Sequence, residues 1–264
     1  MIRTHLPAVK AATFCVFLPR PELHGMPGAT GTGFFVSADG WFLTAAHVVA
    51  DMSKQPWTIR ADIGQLSLAR NYELGNPPEL CFNINVEYFD PSMDIAILKA
   101  NFTANSNQAW LKNRTGFPAI EISTREIEEG APVFSYGFPL TETVILPSGL
   151  GISAVGTTYS PRVTSAVLSS RQHLHGPLKT SSDPLFYVID KALNYGNSGG
   201  PIVATETGKV FALCSRFQPT FIVQPLLPGN TSIMVPSLYG IVASFSNRPI
   251  VEKFRDLGIP STTN

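Results

Sequence analysis

The chain has 264 residues, with 19 basic against 19 acidic side chains and only 14% charged residues in all. That length can bury a large core, as two small domains or one β-rich unit, while a formal charge of zero leaves no electrostatic footprint for nucleic acid or an anionic membrane. Cys15, Cys81 and Cys214 lie far apart with no CxxC spacing, which argues against a disulfide framework and a zinc site, and no metal or cofactor is expected.

The opening MIRTHLPAVKAATFCVFLPR has no uninterrupted apolar stretch followed by a small-residue cleavage site, so no signal peptide is read. No run approaches the roughly 18 apolar residues that span a bilayer. A cytoplasmic protein is the simplest placement, and the Asn-x-Ser/Thr triplets at Asn101, Asn113 and Asn230 are then read as chance.

Short runs rich in Val, Ile, Phe and Tyr follow, broken by Gly, Pro, Asn and Ser, which is the pattern of an all-β chain. The first is Ala12 to Leu18. Phe34 to Ser37 and Trp41 to Thr44 form a β-hairpin through Ala38-Asp39-Gly40, because Asp-Gly supplies the positive φ of a tight turn. Trp57 to Asp62 and Ile95 to Lys99 come next. A polar stretch, Asn101 to Thr115, reads as a linker between two β-rich parts, residues 1–110 and 111–264. In the second part the strands are Val133 to Tyr136, Val163 to Ser169, Leu185 to Asp190, Val210 to Ser215 and Leu238 to Phe245. Leu140 to Pro161 and the Pro-rich Gln218 to Pro236 are long for simple loops. SNRPIVEKFRDLGI places a proline in a first helical turn and Gly258 at a C-cap, with Ile250, Phe254 and Leu257 on one face, so a short terminal helix is predicted.

The chemistry concentrates in NYGNSGGPIV. Glycines so close together mark a backbone that takes unusual dihedrals or lets something approach. Ser198 within Gly196-Asn197-Ser198-Gly199-Gly200 fits a G-x-S-x-G elbow, but that arrangement needs a histidine after the serine. The five histidines are His5, His24, His47, His173 and His175, all upstream. The order His, Asp, Ser is the one the chain can satisfy. His47 follows the second strand of the hairpin, and Asp94 opens the apolar strand at Ile95, with Asp90 its nearest rival. A carboxylate drawn inward there needs a donor, and the imidazole supplies one. The N–H groups of Gly196 and Ser198 suit an oxyanion hole, which asks for two backbone donors in a tight turn with little side-chain bulk.

GTGFFVSADGWFLTAAHVV, MDIAILKA and IDKALNYGNSGGPIV together resemble the signature blocks of the chymotrypsin-fold, trypsin-like serine peptidases, most closely the bacterial HtrA-type branch, across residues 10–260. The resemblance implies two six-stranded antiparallel β-barrels with His47, Asp94 and Ser198 in the cleft between them, and peptide-bond cleavage through an acyl-enzyme. Asn197 stands where trypsins carry an aspartate that pairs with a newly cut N-terminus, so activation by such a cut is not expected. The resemblance also implies a primary pocket lined by Ala192 to Tyr195, Cys214 to Arg216 and Tyr239 to Ile241, Gly240 among them. With Ala192 where a basic substrate residue would require an acid, a small or medium apolar P1 residue is expected, or Arg216 attracts an acidic neighbour. The Cys214 to Arg216 strand, Ser215 at its centre, would pair with an extended substrate. No PDZ domain follows in this sequence.

Other readings stay open beside these. A peptidase fold can serve as a silent binding or scaffold module, and the same triad can act as an esterase. Cys214 is either a reactive thiol or a buried strand cysteine, and His173 with His175 is read as a solvated loop rather than a metal pair. The expected partner is a peptide or protein substrate. Restraint of activity is expected from a disordered segment within Leu140 to Pro161 or from a partner that opens the cleft.

Overall fold

The computed structural model describes residues 1–264 except 21–22, 24–26, 71–78, 102, 104–106, 108–110, 112–113, 147–153, 174–183, 192, 224–231 and 264. The chain opens with a helix that the strand pattern did not announce. α1 (Ile2–Ala12) contains Pro7, which withdraws a backbone donor, but Ile2, Leu6 and Val9 share one helical face and pack on the core. The Thr13 hydroxyl donates to the Val9 carbonyl at 2.7 Å as the backbone turns extended.

The first half then builds one curled sheet. Its strands are β1 (Thr13–Pro19), β2 (Pro27–Phe35) and β3 (Trp41–Thr44). After α2 (Ala46–Val49) comes a small ribbon of β4 (Ala50–Asp51) and β5 (Thr58–Ile59). Then follow β6 (Ser67–Arg70), β7 (Glu79–Cys81), β8 (Ile84–Asp90) and β9 (Ile95–Ala100). The sheet runs β7-β6-β1-β2-β3-β9-β8. The β2–β3 hairpin forms as expected, with Gly40 at φ 102 in its turn. The strand expected over Trp57 to Asp62 shrinks to β5, because the Arg60 guanidinium folds back on the Asp62 carboxylate and the Pro19 carbonyl.

The second half contributes β10 (Ile122–Ser123), β11 (Pro132–Gly137), β12 (Glu142–Leu146) and β13 (Ala154–Thr158). β14 (Arg162–His173), β15 (Leu185–Ile189), β16 (Pro201–Ala204), β17 (Val210–Val223) and β18 (Ser232–Ser244) follow. α3 (Arg248–Asp256) and β19 (Ser261–Thr262) end the chain. Six strands close on themselves in the order β16-β11-β14-β15-β18-β17, with β17 pairing back to β16. α3 is the expected terminal helix: Ile250 and Phe254 are buried, and Gly258 takes φ 68 just past its end.

The all-β expectation holds, with one refinement. The second barrel is closed, whereas the first is a curled seven-stranded sheet whose edge strands β7 and β8 do not pair among the described residues. At the corner between them the Asn107 side chain takes the place of a partner strand, accepting from the Phe82 N–H at 3.0 Å and donating to the Phe82 carbonyl at 2.7 Å. The two segments that are long for simple loops carry strands. β12 and β13 form an antiparallel ribbon inside Leu140 to Pro161. β17 and β18 extend as a hairpin into Gln218 to Pro236, with Pro219 opposite Pro236. Prolines are tolerated there because the register shifts between Phe217 and Pro219. One apolar cluster draws Phe14, Phe35 and Leu43 of the first sheet together with Phe134, Phe138 and Val203 of the second half, so the two halves share a core.

Candidate active site

A cleft of about 550 Å³ is lined from one side by His47 and Val48 and from the other by Leu193, Ser198, Ser215 and Arg216. His47 owes its place to sheet register. β3 ends at Thr44, the chain turns at Ala45 into α2, and His47 is the second residue of that single turn. Thr44 pairs with Ala96, so the residues just before β9 arrive beside the histidine.

Asp94 is one of them. It is 4% exposed and has φ 53, a left-handed conformation that aspartate tolerates better than most residues. Asp90, the rival, is used up in the preceding turn, where its carboxylate accepts from the Ser92 N–H at 2.8 Å, the Ser92 hydroxyl, the Met93 N–H and the Tyr88 hydroxyl. The Asp94 carboxylate faces His47. Its Oδ1 accepts from the His47 backbone N–H at 3.0 Å, and Nδ1 of the ring lies 3.0 and 2.9 Å from Oδ1 and Oδ2. The Ser215 hydroxyl donates to Oδ2. A carboxylate surrounded by donors favours the tautomer with the proton on Nδ1, and no hydrogen bond takes up Nε2 among the described residues.

Ser198 sits in a turn held at each step. The Asn197 N–H donates to the Asn194 carbonyl at 3.0 Å, the Gly200 N–H to the Asn197 carbonyl at 2.8 Å, and the Gly199 N–H to the Cys214 carbonyl at 2.7 Å. Gly196 and Gly199 take φ 94 and 82. A Cβ on Gly199 would collide with the Thr32 carbonyl and the Thr44 hydroxyl, so glycine is required there twice over. The Ser198 hydroxyl donates to the Ser215 carbonyl at 3.4 Å, and no hydrogen bond joins it to His47 among the described residues.

The Tyr195 carbonyl accepts from the Leu140 N–H at 3.0 Å. Because a trans peptide is planar, the Gly196 N–H of that same unit points the opposite way, away from the Leu140 segment. Neither the Gly196 nor the Ser198 N–H has an acceptor among the described residues.

The expected pocket residues divide. Tyr195 is 76% exposed at the rim, while Ser215 and Arg216 line the cleft. The Arg216 guanidinium lies 5.6 Å from the centroid of the Phe186 ring. Gly240 is buried behind Leu193, whose side chain fills the space a Cβ would need. Ala192 lies outside the described residues, as does His175. Arg20, Thr30, Met52 and Leu140 also line the cleft. They come from segments without a motif, so spacing alone gave no signal for them.

Cys214 does not open onto the cleft. It is fully buried beside the Ser135 hydroxyl, and burial pushes its thiol up to about 12. Cys81 is pushed up to about 12 for the same reason, and Cys15 higher still. Raised pKa values keep all three as unreactive thiols at neutral pH. Iodoacetamide at pH 8 should therefore leave the native protein unmodified by intact-mass measurement and add to all three cysteines in denaturant. Fast labelling of Cys214 in the native protein would restore it as a reactive group.

A trypsin-like peptidase domain model matches residues 31–213. Among curated proteins, the chain is similar to "Serine protease HTRA2, mitochondrial" of Bos taurus, 26% identical over 197 residues that cover 73% of this chain and 33% of that protein. It is also similar to "Probable periplasmic serine endoprotease DegP-like" of Brucella suis biovar 1, 31% identical over 183 residues, 69% of this chain and 26% of that protein. The chain spans a third or less of the length of these relatives. Among solved structures, the active form of the Rv3671c protease from M. tuberculosis gives a TM-score of 0.57 at 19% identity, covering 98% of this chain and 86% of that one. The HtrA-type protease AlgW with a tripeptide gives 0.55 at 18% identity, covering 98% and 65%. At such identities the likeness is one of fold.

Proposed function

The chain belongs to the trypsin-like peptidase domain family, and from that membership we propose that it is a serine endopeptidase working through Ser198, His47 and Asp94. The observation that carries the reading is the His47 ring, anchored at Nδ1 by the buried Asp94 carboxylate and turned so that Nε2 remains to accept a proton.

The Ser198 hydroxyl, released from the Ser215 carbonyl, adds to a substrate carbonyl carbon while its proton passes to Nε2. At 3.4 Å that resting hydrogen bond is weak, so the rotation costs little. The carbonyl oxygen gains the charge and is met by the N–H groups of Gly196 and Ser198. Collapse breaks the C–N bond, Nε2 returns the proton to the leaving amine, and an ester on Ser198 remains. A water deprotonated by Nε2 then cleaves that ester and Ser198 regains its proton.

The substrate this reading requires is an extended peptide or protein segment. β16 pairs with β17 only up to Leu213, and the last backbone bonds across that gap are both made by Cys214, its N–H to the Gly200 carbonyl at 2.8 Å and its carbonyl from the Gly199 N–H at 2.7 Å. Ser215 and Arg216 beyond it offer an edge to which an extended backbone can add.

A fluorophosphonate tests the nucleophile directly, since Ser198 displaces fluoride and becomes phosphonylated. Labelling at Ser198 by peptide mapping, lost in His47→Ala, is the expected result. A folded protein that takes no label at pH 7 to 8.5 is instead a silent module. Cleavage sites read by mass spectrometry in a peptide library separate peptidase from esterase.

A further inference from the structure

We propose that Thr32 is a positioning residue for the oxyanion-binding turn: its hydroxyl holds the Gly196 carbonyl and so keeps the Gly196 and Ser198 N–H groups converging on one point. The proposal rests on the serine peptidase reading above and assigns a role to a residue outside the three reacting side chains.

Thr32 lies on β2, in the first sheet, and is fully buried. Its hydroxyl donates to the Gly196 carbonyl at 2.5 Å and accepts from the Phe138 N–H at 3.1 Å. Its backbone N–H donates to the Ser198 carbonyl at 2.7 Å, and its own carbonyl accepts from the Thr44 hydroxyl at 2.7 Å. The side chain thus ties β2 to the Gly196 and Phe138 segments, remote from it in sequence, and with its backbone N–H Thr32 also holds Ser198, the other residue whose N–H the oxyanion needs.

The reason such a clamp matters lies in Gly196. At φ 94 a glycine has little steric resistance to rotation of its flanking peptides, so their orientation depends on hydrogen bonds. The peptide before it is held by the Leu140 N–H on the Tyr195 carbonyl. The peptide after it is held at one end by the Asn197 N–H on the Asn194 carbonyl, and at the other by the Thr32 hydroxyl on the Gly196 carbonyl. Without the hydroxyl, the Gly196 carbonyl and the Phe138 N–H lose their partner in a buried setting, and the turn gains a reason to rotate toward another donor. Valine keeps the shape of threonine and can neither donate nor accept.

The test compares wild type, Thr32→Val and Thr32→Ser in fluorophosphonate labelling, because the phosphonyl oxygen takes the oxyanion position. The maximal labelling rate is resolved from the probe's apparent affinity, with thermal unfolding recorded in parallel. Thr32→Val should lower the maximal rate about 10- to 100-fold, approaching the loss of one oxyanion donor, with the apparent affinity within about threefold. Thr32→Ser should recover most of the rate. A Thr32→Val rate within about threefold of wild type overturns the proposal, as does a Thr32→Ser rate as low as that of valine, which would assign the effect to methyl packing. If Thr32→Val does not fold, Thr32→Ala replaces it: alanine slow beside serine fast supports the clamp, and equal rates refute it. A wild-type protein that takes no label sinks the peptidase reading and the clamp together, whereas a labelled wild type with an unaffected valine variant removes only the clamp.

Discussion

Replacing Ser198 by alanine should lower peptide-bond hydrolysis by about 10⁴- to 10⁶-fold, the range found when the nucleophile of a comparable triad is removed. The acyl-enzyme route closes because no oxygen remains to form the ester, and what is left is binding plus any polarisation of the carbonyl. Stability should barely move. The Ser198 hydroxyl is half-buried and, among the described residues, makes one hydrogen bond, at 3.4 Å, to the Ser215 carbonyl, so its loss is worth at most about 0.5 kcal/mol and roughly 1–2 °C in Tm. That contrast separates chemistry from scaffolding. Labelled casein digestion, with circular dichroism melts of both proteins, reads the two effects side by side. Retention of activity within tenfold would remove Ser198 from the mechanism, and a collapse of Tm would mean that the glycine-rich turn had been disturbed as a whole.

The residues that meet in the cleft were legible because each sits next to a strong local signal. The Asp-Gly hairpin carries β3 to a defined end, and His47 follows that end within one turn. The apolar run Ile95 to Leu98 has to be buried, and it draws Asp94 in with it. The glycines around Ser198 announce positive φ, which Gly196 and Gly199 adopt. Thr32 carried no such signal. Its bonds to Gly196 and Phe138 cross from one half of the fold to the other, and only the packed structure brings those partners together. The resemblance puts Ser215 beside the substrate, yet its hydroxyl turns inward to Asp94. α1 was hidden by Pro7 and by the want of a cap, although the spacing of Ile2, Leu6 and Val9 was there to be counted. The β17–β18 hairpin extends through a Pro-rich stretch that gives no strand signal, and a shifted register lets Pro219 face Pro236 there.

Asp94→Asn should cost about 10⁴-fold in kcat while leaving the fold intact, the size of loss seen when an orienting aspartate becomes an amide in such a triad. Among the described residues the carboxylate has only donors around it: the His47 backbone N–H and Nδ1 hydrogen bond it on one side, and the Ser215 hydroxyl on the other. An amide of the same shape brings one acceptor oxygen and one NH₂ group. The backbone N–H of His47 cannot be turned round, so it keeps the amide oxygen. The NH₂ group then faces Ser215 and the imidazole. Ser215 can rotate its hydroxyl and accept, and the ring can accept at Nδ1 only by carrying its proton on Nε2. That is the tautomer which cannot take the Ser198 proton, so nucleophilic attack loses its base without any atom having moved far. Asp94→Ala, by contrast, would strip three donors of their buried acceptor and should lower stability as well as activity. The readings that decide are kcat, fluorophosphonate labelling rate and Tm for both variants. An asparagine variant with near-normal turnover would show that the imidazole does not depend on Asp94 for its tautomer, and the role of this carboxylate would then be confined to holding the His47 turn in place.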